Sequence, residues 1–315
     1  MNLKPKIVFM GTPEFGAIIL EGLVKGGYRQ VLTITSPDKP AGREKIITPP
    51  PIKVIAQKYN IPILQPETLT DSKSQIINYK PDLIIVAAFG QILAKEILKI
   101  PKYGCLNIHP SLLPRWRGAS PIQYAILNGD KETGISIILM TEKLDEGDII
   151  ASSEFQITNS KITYPELSKE LANLGTKLLL ETIPKWLKNE VKPKSQNSSE
   201  ATYTKALTKE DGKIDWKKPA EYIERKIRAF FPWPGGFCFW DGKQIKILKA
   251  NVLKKTKECP LGLPGKTFLA PDDKIAVQTG KDFLLIEELQ LEGRKPMSSK
   301  EFLRGQLKFI GNTLK

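Results

Sequence analysis

The first part of the chain alternates two hydrophobic patterns. Short apolar runs are typical of strands buried on both faces of a parallel sheet. They are separated by stretches whose apolar residues recur with helical spacing. The predicted strands are residues 6–10, 31–35, 61–64, 82–88, 105–108 and 134–141, and the predicted helices begin near residues 13, 51, 72, 119 and 163. This alternation predicts an α/β fold with a Rossmann-like, doubly wound, mainly parallel sheet.

The pattern changes in the last third of the chain. Residues 190–207 are polar and nearly free of apolar side chains, which predicts a flexible linker. An amphipathic helix over residues 220–230 follows. The short β runs after it are residues 237–240, 244–252, 266–269, 275–278 and 283–291. These runs predict a small OB-like β-barrel.

The domains expected from these patterns are residues 1–189, the linker 190–207, and residues 208–315. Because the predicted sheet is complete before the linker, we expect a fragment of residues 1–200 to fold alone.

Helix starts carry capping signals. Thr12 precedes Pro13 and is expected to cap the first helix. Ser298 and Glu301 form a capping box before a terminal helix. Pro184 is expected to kink or end the long helix that contains it.

Composition narrows the class of protein. The chain has 315 residues, of which 41% are hydrophobic and 26% charged, as in ordinary globular proteins. No apolar run approaches the roughly 18 residues of a membrane span, and no secretory signal follows Met1. The three cysteines are scattered and lack CxxC spacing. We therefore expect a monomeric cytoplasmic protein without a metal, a disulfide or a membrane partner.

The charge is strongly positive and uneven. The net charge is +14, and residues 201–315 hold 23 Lys and Arg against 14 Asp and Glu, a net +9. A dense positive charge favours binding to a polyanion such as a nucleic acid. A lysine-rich drift over a solvated surface would give the same count. Charge alone leaves both interpretations open.

Residues 104–121 hold the best candidate for chemistry. They contain the only histidine of the chain, His109, at the end of a predicted strand. Asn107 lies two positions earlier, so both side chains leave the same face of the strand. An amide can stabilise a developing oxyanion, and an imidazole can handle a proton, which together suit acyl transfer. A histidine satisfied by backbone at a strand end is the alternative.

A carboxylate downstream favours the catalytic interpretation. Asp145 follows the predicted strand 134–141, at the kind of strand exit where ligands of open α/β sheets gather. A carboxylate there could orient His109 and stabilise its charged form, as the third member of a triad does.

Three motifs in fixed order resemble a known family. They are Asn-x-His at 107–109, Ser-Leu-Leu-Pro-x-x-Arg-Gly at 111–118 and Leu-Asp-x-Gly-Asp at 144–148. Together with Phe-x-Gly-Thr-Pro-x-Phe at 9–15, they resemble the formyltransferases that use 10-formyltetrahydrofolate. The resemblance implies that Asn107, His109 and Asp145 are catalytic and that 10-formyltetrahydrofolate donates the formyl group.

The resemblance also implies a folate site. Its residues would be Phe89, Gly90, Gln91 and Ile92 along the pterin ring, bordered by Ser111, Leu112, Leu113 and Pro114. A concave, mostly apolar site with a few polar groups is what such a flat ring needs.

A basic insertion at residues 37–45 points to the acceptor. It is too long for an ordinary connection, so it is either functional or disordered. It could clamp phosphates through Lys39, Arg43 and Lys45. The insertion is similar to that of formyltransferases acting on methionyl-tRNA, which implies initiator methionyl-tRNA as the partner. A solvated hairpin without a role is the alternative.

Two other classes of function fit parts of the sequence. A folate-dependent formyltransferase acting on a small amine would not need the basic second domain. A non-catalytic nucleic-acid-binding module would not need the set Asn107, His109 and Asp145. Arg115, Trp116 and Arg117 could contact the tRNA acceptor end or act as packing and capping groups, and the sequence does not decide between these roles.

Overall fold

The computed structural model describes residues 5–42, 45–254 and 262–315. The chain forms two compact units, and each unit is made of three segments that are not contiguous in the sequence. The first consists of residues 1–121, 131–158 and 166–205, and the second of residues 122–130, 159–165 and 206–315.

The first unit is built on a seven-stranded sheet. Its strands, including two short pairs outside that sheet, are β1 (Ile7–Gly11), β2 (Val31–Ile34), β3 (Lys39–Ala41), β4 (Ile46–Thr48), β5 (Ile63–Leu64), β6 (Leu83–Ala87), β7 (Cys105–His109), β8 (Arg117–Gly118), β9 (Glu132–Leu139), β10 (Ile149–Gln156) and β11 (Tyr203–Thr204). The main sheet has the order β10-β9-β7-β6-β1-β2-β5. Strands β5, β2, β1, β6 and β7 are parallel, and β9 and β10 pair antiparallel. The predicted α/β, mainly parallel fold is confirmed.

Helices accompany these strands. They are α1 (Glu14–Lys25), α2 (Pro51–Lys58), α3 (Lys73–Tyr79), α4 (Lys95–Leu98), α5 (Pro121–Asn128) and α6 (Tyr164–Leu187). Every residue of β1 and β6 is buried, as their continuous apolar runs predict. Pro184 lies inside α6, which continues to Leu187 and is therefore not ended by it.

The start of α1 differs from the prediction. Pro13 occupies the N-cap position, and no side chain caps the helix there. The Thr12 hydroxyl instead lies 3.5 Å from the Phe89 carbonyl oxygen, in the neighbouring loop. The tertiary contact has replaced the local one.

The basic insertion is a β-hairpin. Strands β3 and β4 pair antiparallel, with Lys39 opposite Thr48 and Ala41 opposite Ile46. The Asp38 carboxylate at its base accepts hydrogen bonds from Lys53 Nζ at 2.7 Å and Gln65 Nε2 at 2.7 Å. Residues 39–41 are therefore paired as in the hairpin that the sequence kept as an alternative, and the role of the insertion in binding tRNA stays a prediction. Arg43 lies outside the described residues.

The expectation of a flexible linker is also wrong for residues 194–204. Lys194 pairs with Ile149 in an isolated bridge, and β11 pairs in parallel with β8. This segment, which we call the strap, belongs to the first unit. Composition marked it as a linker because its side chains are polar, but many of those polar groups bond to protein and not only to water.

The second unit is a mixture of helix and antiparallel sheet. Its elements are α7 (Ala220–Phe230), β12 (Gly236–Trp240), β13 (Lys243–Leu253), β14 (Thr267–Ala270), β15 (Lys274–Gln278), β16 (Phe283–Leu291), β17 (Met297–Ser298) and α8 (Ser299–Gly305). The sheet has the order β12-β13-β16-β15-β14, and β17 adds to β16. Helix α7 has its predicted bounds, and the Ser298–Glu301 capping box is formed. Closure of this sheet into a barrel stays a prediction.

No helix within the described part of the chain is long and apolar enough to cross a membrane.

Candidate active site

The site lies at the point of the sheet where the strand order reverses. From β1 the chain proceeds to β2 and β5 on one side and to β6 and β7 on the other. Open α/β sheets bind ligands at such a switch point, outside the carboxyl ends of the strands. Strand β7 ends there with His109, and the turn after β6 begins there with Ala88 in the left-handed conformation at φ +52°.

The structure brings the three predicted catalytic residues together. Asn107 Nδ2 donates a hydrogen bond to Asp145 Oδ1 at 3.2 Å. His109 Nδ1 lies 3.6 Å from the same oxygen. The other carboxylate oxygen, Asp145 Oδ2, accepts a hydrogen bond from the backbone N–H of Gly118 at 2.8 Å. The carboxylate is thus buried but surrounded by groups that compensate its charge.

The imidazole of His109 is held from both sides. Its Nε2 lies 2.9 Å from the Trp116 carbonyl oxygen. A carbonyl oxygen can only accept a hydrogen bond, so Nε2 carries a proton. Nδ1 faces a carboxylate oxygen, which is also an acceptor. Each ring nitrogen thus has a fixed neighbour, and the two contacts together set the orientation of the ring.

Trp116 and Asp145, like Ala88, adopt an uncommon backbone conformation. Trp116 has φ +60° and Asp145 has φ +53°. Left-handed conformations are unfavourable for residues with a Cβ atom, at a cost of order 1–3 kcal/mol each, and persist only where the surroundings enforce them. The two turns that contact His109 therefore depend on restraints from elsewhere in the unit.

A cavity of about 470 Å³ opens beside these residues. Its lining comprises Val86, Ala88, Phe89, Gly90, Gln91, Ile92, Leu93, Asn107, Ile108, His109, Pro110, Gly118, Ala119, Pro121, Ile138, Met140, Thr141, Glu142, Lys143, Leu144 and Asp145. Most of the lining is apolar, and the catalytic candidates supply part of its polar surface. Ile92 is 83% exposed and Leu144 is 65% exposed, although both are large and apolar. An apolar cavity with a few polar groups suits a flat, partly polar ligand.

The predicted pterin loop borders this cavity. Phe89, Gly90, Gln91 and Ile92 all belong to its lining. The Gln91 side chain is engaged in holding the loop, because its Oε1 accepts from Leu69 N at 2.9 Å and its Nε2 donates to the Glu67 carbonyl at 3.3 Å. Its side chain thus shapes the wall of the cavity.

The segment Ser111, Leu112, Leu113 and Pro114 does not belong to the cavity lining. The Ser111 hydroxyl donates to the Arg115 carbonyl at 2.6 Å. Ser136, which pairs with His109 across β7 and β9, donates to the Ser111 carbonyl at 2.8 Å and accepts from Leu113 N at 3.0 Å. These bonds fix the turn that follows His109. The border of this segment with the folate stays a prediction.

Two of the predicted tRNA contacts, Lys39 and Lys45, also lie apart from the cavity lining. Lys39 and Lys45 are exposed and belong to the hairpin region. Ile46 and Ile47 beside them are each 61% exposed. The hairpin therefore offers both positive charge and apolar surface to solvent.

The roles of residues 115–117, left open by the sequence, differ from one another. The Arg115 guanidinium lies 4.6 Å from the centre of the Trp116 ring. Arg117 is only 1% exposed, and its guanidinium contacts Gln196, Tyr203 and Glu146. A group so deeply buried in the first unit is placed for packing and hydrogen bonding.

Sequence reasoning missed Ser136 and Gln196. Ser136 looks like an ordinary small residue of a buried strand, and Gln196 stands in a polar stretch. Their value comes from tertiary pairing, for which neither position carries a local signal.

Cys105 begins β7, the strand that carries Asn107 and His109. Burial raises the pKa of the Cys105 thiol to about 12, so it stays protonated and is a poor nucleophile. Among the residues described, no group of three or more His, Cys, Asp or Glu side chains could hold a metal ion.

Two family profiles match the chain. Residues 5–183 match the family described as formyl transferase, and residues 206–307 match the formyl transferase C-terminal domain. Methionyl-tRNA formyltransferase of Alkaliphilus oremlandii (strain OhILAs) is 44% identical over 311 residues, which cover 98% of this chain and 99% of that protein. The Bacillus subtilis (strain 168) protein of the same name is 42% identical and covers 98% of this chain and 97% of its own.

Solved structures share the fold at low identity. HypX from Aquifex aeolicus in complex with tetrahydrofolic acid has a TM-score of 0.66 at 19% identity, covering 98% of this chain and 48% of that one. This chain therefore spans about half the length of HypX. An N-formyltransferase from Helicobacter canadensis, in complex with folinic acid and dTDP-3-aminofucose, has a TM-score of 0.64 at 22% identity over 90% of this chain and 98% of that one. With both domain profiles matched and 44% identity over nearly its whole length, this chain belongs to the methionyl-tRNA formyltransferase family.

Proposed function

We propose that the protein transfers the formyl group of 10-formyltetrahydrofolate to the α-amine of methionine on initiator methionyl-tRNA. The observation that carries this proposal is the contact of Asn107, His109 and Asp145 at the wall of one cavity. The high identity to methionyl-tRNA formyltransferases supports the choice of acceptor.

The amine nitrogen attacks the formyl carbon, and the formyl oxygen gains negative charge as the new C–N bond forms. Asn107 has two N–H groups, of which one binds Asp145. The second is available to donate to this oxygen. Preorganised donors of this kind are worth about 10²–10³ in rate.

His109 and Asp145 act on the proton. The Asp145 carboxylate is fixed by Asn107 and Gly118, so it can hold the imidazole in one orientation and stabilise its positive charge. The attacking amine loses a proton, and N10 of the departing tetrahydrofolate gains one. In our proposal His109 handles this proton, directly or through a bridging water.

The folate would bind in the cavity beside these groups. Residues 88–93 supply backbone groups and apolar walls on which a pterin ring could lie. The Ser111–Pro114 turn would contribute indirectly, by fixing the backbone after His109.

The tRNA would be bound by charge outside the cavity. Lys39, Arg43 and Lys45 of the insertion are the proposed contacts in the first unit. Residues from about 208 onward, which form most of the second unit, are the proposed tRNA-binding domain.

A formylation assay with charged initiator and elongator tRNAs tests the function. We expect formyl transfer to the initiator methionyl-tRNA that depends on 10-formyltetrahydrofolate. Formylation of an amino sugar nucleotide, with no turnover of charged tRNA, would show that the acceptor is a small amine. Tight tRNA binding without any transfer would indicate a non-catalytic module.

A further inference from the structure

We propose that Arg117 and Gln196 are positioning residues for the reaction, and that the strap is part of the catalytic apparatus. The two side chains join the turn at 116–118 to the turn at 145–147. These turns supply the backbone and carboxylate contacts that surround His109. The kinetic part of this inference rests on the proposed function, whereas its structural part does not.

The side-chain amide of Gln196 is fully used. Its Oε1 accepts from Arg117 Nε at 3.1 Å and Nη2 at 2.8 Å. Its Nε2 donates to the carbonyl oxygens of Asp145 at 2.8 Å and Gly147 at 2.7 Å. Guanidinium only donates and carbonyls only accept, so the amide can stand in one orientation alone. Gln196 therefore ties the 145–147 turn to Arg117 through four hydrogen bonds.

Arg117 forms the other half of this connection. Its guanidinium is almost inaccessible to water, and a buried charge is tolerated only with partners in good geometry. Besides Gln196, it has Tyr203 Oη at 3.4 Å and Glu146 Oε1 at 3.5 Å from its Nη1. Glu146 follows Asp145 directly. Arg117 thus reaches the 145–147 turn by two routes, one through Gln196 and one through Glu146.

Thr202 and Thr204 of the strap add further contacts to the turn at 116–118. Arg117 N donates to the Thr202 carbonyl at 2.9 Å, and Trp116 N donates to Thr202 Oγ1 at 2.9 Å. Gly118 pairs with Thr204, and a Cβ atom at position 118 would come within 2.2 Å of the Thr204 carbonyl oxygen. The strap therefore packs on the 116–118 turn too closely for any side chain at Gly118.

The hydrogen bonds from the strap restrain the two turns at residues with an unfavourable backbone conformation. Trp116 and Asp145 both have a left-handed backbone, and each is bonded to the strap through its own main chain. The Trp116 carbonyl meets His109 Nε2, and the Gly118 N–H meets Asp145 Oδ2. Releasing the strap would let both turns relax and shift the partners of His109.

Neither Arg117 nor Gln196 lines the cavity. We therefore expect their loss to reduce turnover and to leave folate affinity nearly unchanged. A displacement of about 1 Å at a reacting group can lower a rate by about 10²-fold.

The kinetic test uses the full chain and two conservative variants. Gln196→Glu keeps an acceptor for Arg117 but loses both donations to the 145 and 147 carbonyls. Arg117→Lys keeps the charge but loses the planar fork. We expect each to lower kcat for formyl transfer by about tenfold or more, while the Kd for folate stays within about twofold.

Trp186→Phe is the matched control. It removes one hydrogen bond, from Trp186 Nε1 to the Tyr103 carbonyl at 2.9 Å, elsewhere in the first unit. It should lower thermal stability to some extent and leave kcat unchanged. If all three variants lost the same stability and none lost kcat, the residues would be structural only and the inference would be wrong.

A second measurement needs no turnover. His109 is the only histidine, so its imidazole ¹⁵N and ¹H resonances are unambiguous in the whole protein. We expect Gln196→Glu and Arg117→Lys to shift the ring resonances and to speed exchange of the Nε2 proton at fixed pH, and Trp186→Phe to do neither. Unchanged His109 spectra in folded variants would overturn the inference. If the spectra change but the wild type transfers no formyl group, the proposed function is wrong. The inference that Arg117 and Gln196 position His109 is then still supported.

Discussion

At the scale of single residues, one carboxylate oxygen connects the catalytic candidates. Asp145 Oδ1 accepts the Asn107 amide and faces His109, while Oδ2 is held by Gly118. A change at any of the three side chains therefore alters the surroundings of the other two. The oxyanion contact and the proton contact are not independent in this arrangement.

This coupling gives the first prediction. Asn107→Ala, His109→Ala and Asp145→Ala should each lower kcat by about 10²-fold or more, because each removes an oxyanion or proton-transfer contact. The Asn107→Ala/Asp145→Ala double variant should lose much less than the product of the two single losses. Steady-state kinetics with methionyl-tRNA measures both effects.

Asp82→Asn provides the control for these substitutions. Its carboxylate accepts a hydrogen bond from Lys6 N at 2.8 Å, just before β6 and at the other end of that strand from the cavity. It should leave kcat unchanged. Near wild-type turnover in all three well-folded alanine variants would show that the assignment is wrong.

The sequence could predict part of this site. The two-residue spacing of Asn107 and His109 on a strand places them on one face, which depends only on local geometry. The contact of Asp145 with them was foreseen because ligands gather at strand exits. The hydrogen bonds of Gln196 were not foreseeable, because they join residues 79 or 51 positions apart in a segment without an apolar pattern.

At the scale of elements, apolar patterns predicted the bounds of helices and strands well. Helix α7 and strand β16 have their predicted bounds, since each buries one clear face. The strap was predicted to be a flexible linker because it is polar, and the pairing of the hairpin strands was left open. Their structure comes from pairing with another stretch of chain, and local composition does not record the partner.

The hairpin gives the second prediction. Its base is fixed by Asp38, Lys53 and Gln65, and the hydrogen bonds from Gln65 and Lys53 hold the pKa of the Asp38 carboxyl below its usual range. Replacing Lys39 by Gln and Lys45 by Asn should weaken tRNA binding, because two exposed cations are lost from the proposed contact surface. Folate affinity should stay the same, since neither lysine lines the cavity.

Separate titrations with tRNA and with folate measure the two affinities. The double replacement of Lys169 and Lys177 by Gln, two exposed lysines of α6, removes the same charge and is the control. Weaker folate binding together with unaltered tRNA binding would contradict the proposed role of the hairpin.

At the scale of the whole molecule, the two units are not consecutive in sequence. Residues 122–130 and 159–165 belong to the second unit, and residues 201–205 belong to the first. A cut after residue 200 would remove Thr202 and Thr204, which hold the turn at 116–118. The independent folding of residues 1–200 stays a prediction, and tests of tRNA binding use the full chain so that these contacts are kept.

The second unit has its own open cavity, of about 600 Å³. Three exposed lysines, Lys213, Lys217 and Lys315, belong to its lining, together with Trp216 and the exposed carboxylate Asp215. The aromatic and apolar parts of the lining leave room for a nucleotide, and the lysines can bind phosphates. Part of the positive charge of the last third could therefore meet tRNA at this cavity.

The third prediction follows from that charge. Replacing Lys213, Lys217 and Lys315 by Gln should weaken tRNA binding and make it less sensitive to salt, because fewer counterions are released on binding. Each lost phosphate contact should reduce the slope of log K against log salt by about 0.7–0.9. The same triple replacement at Lys169, Lys177 and Lys185 of α6 changes the net charge equally and should leave the slope as it is. Because RNA duplexes expose backbone more than base edges, initiator and elongator tRNA should lose affinity alike. An equal loss of slope in both triple variants would mean that net charge alone, and not this cavity, binds the tRNA.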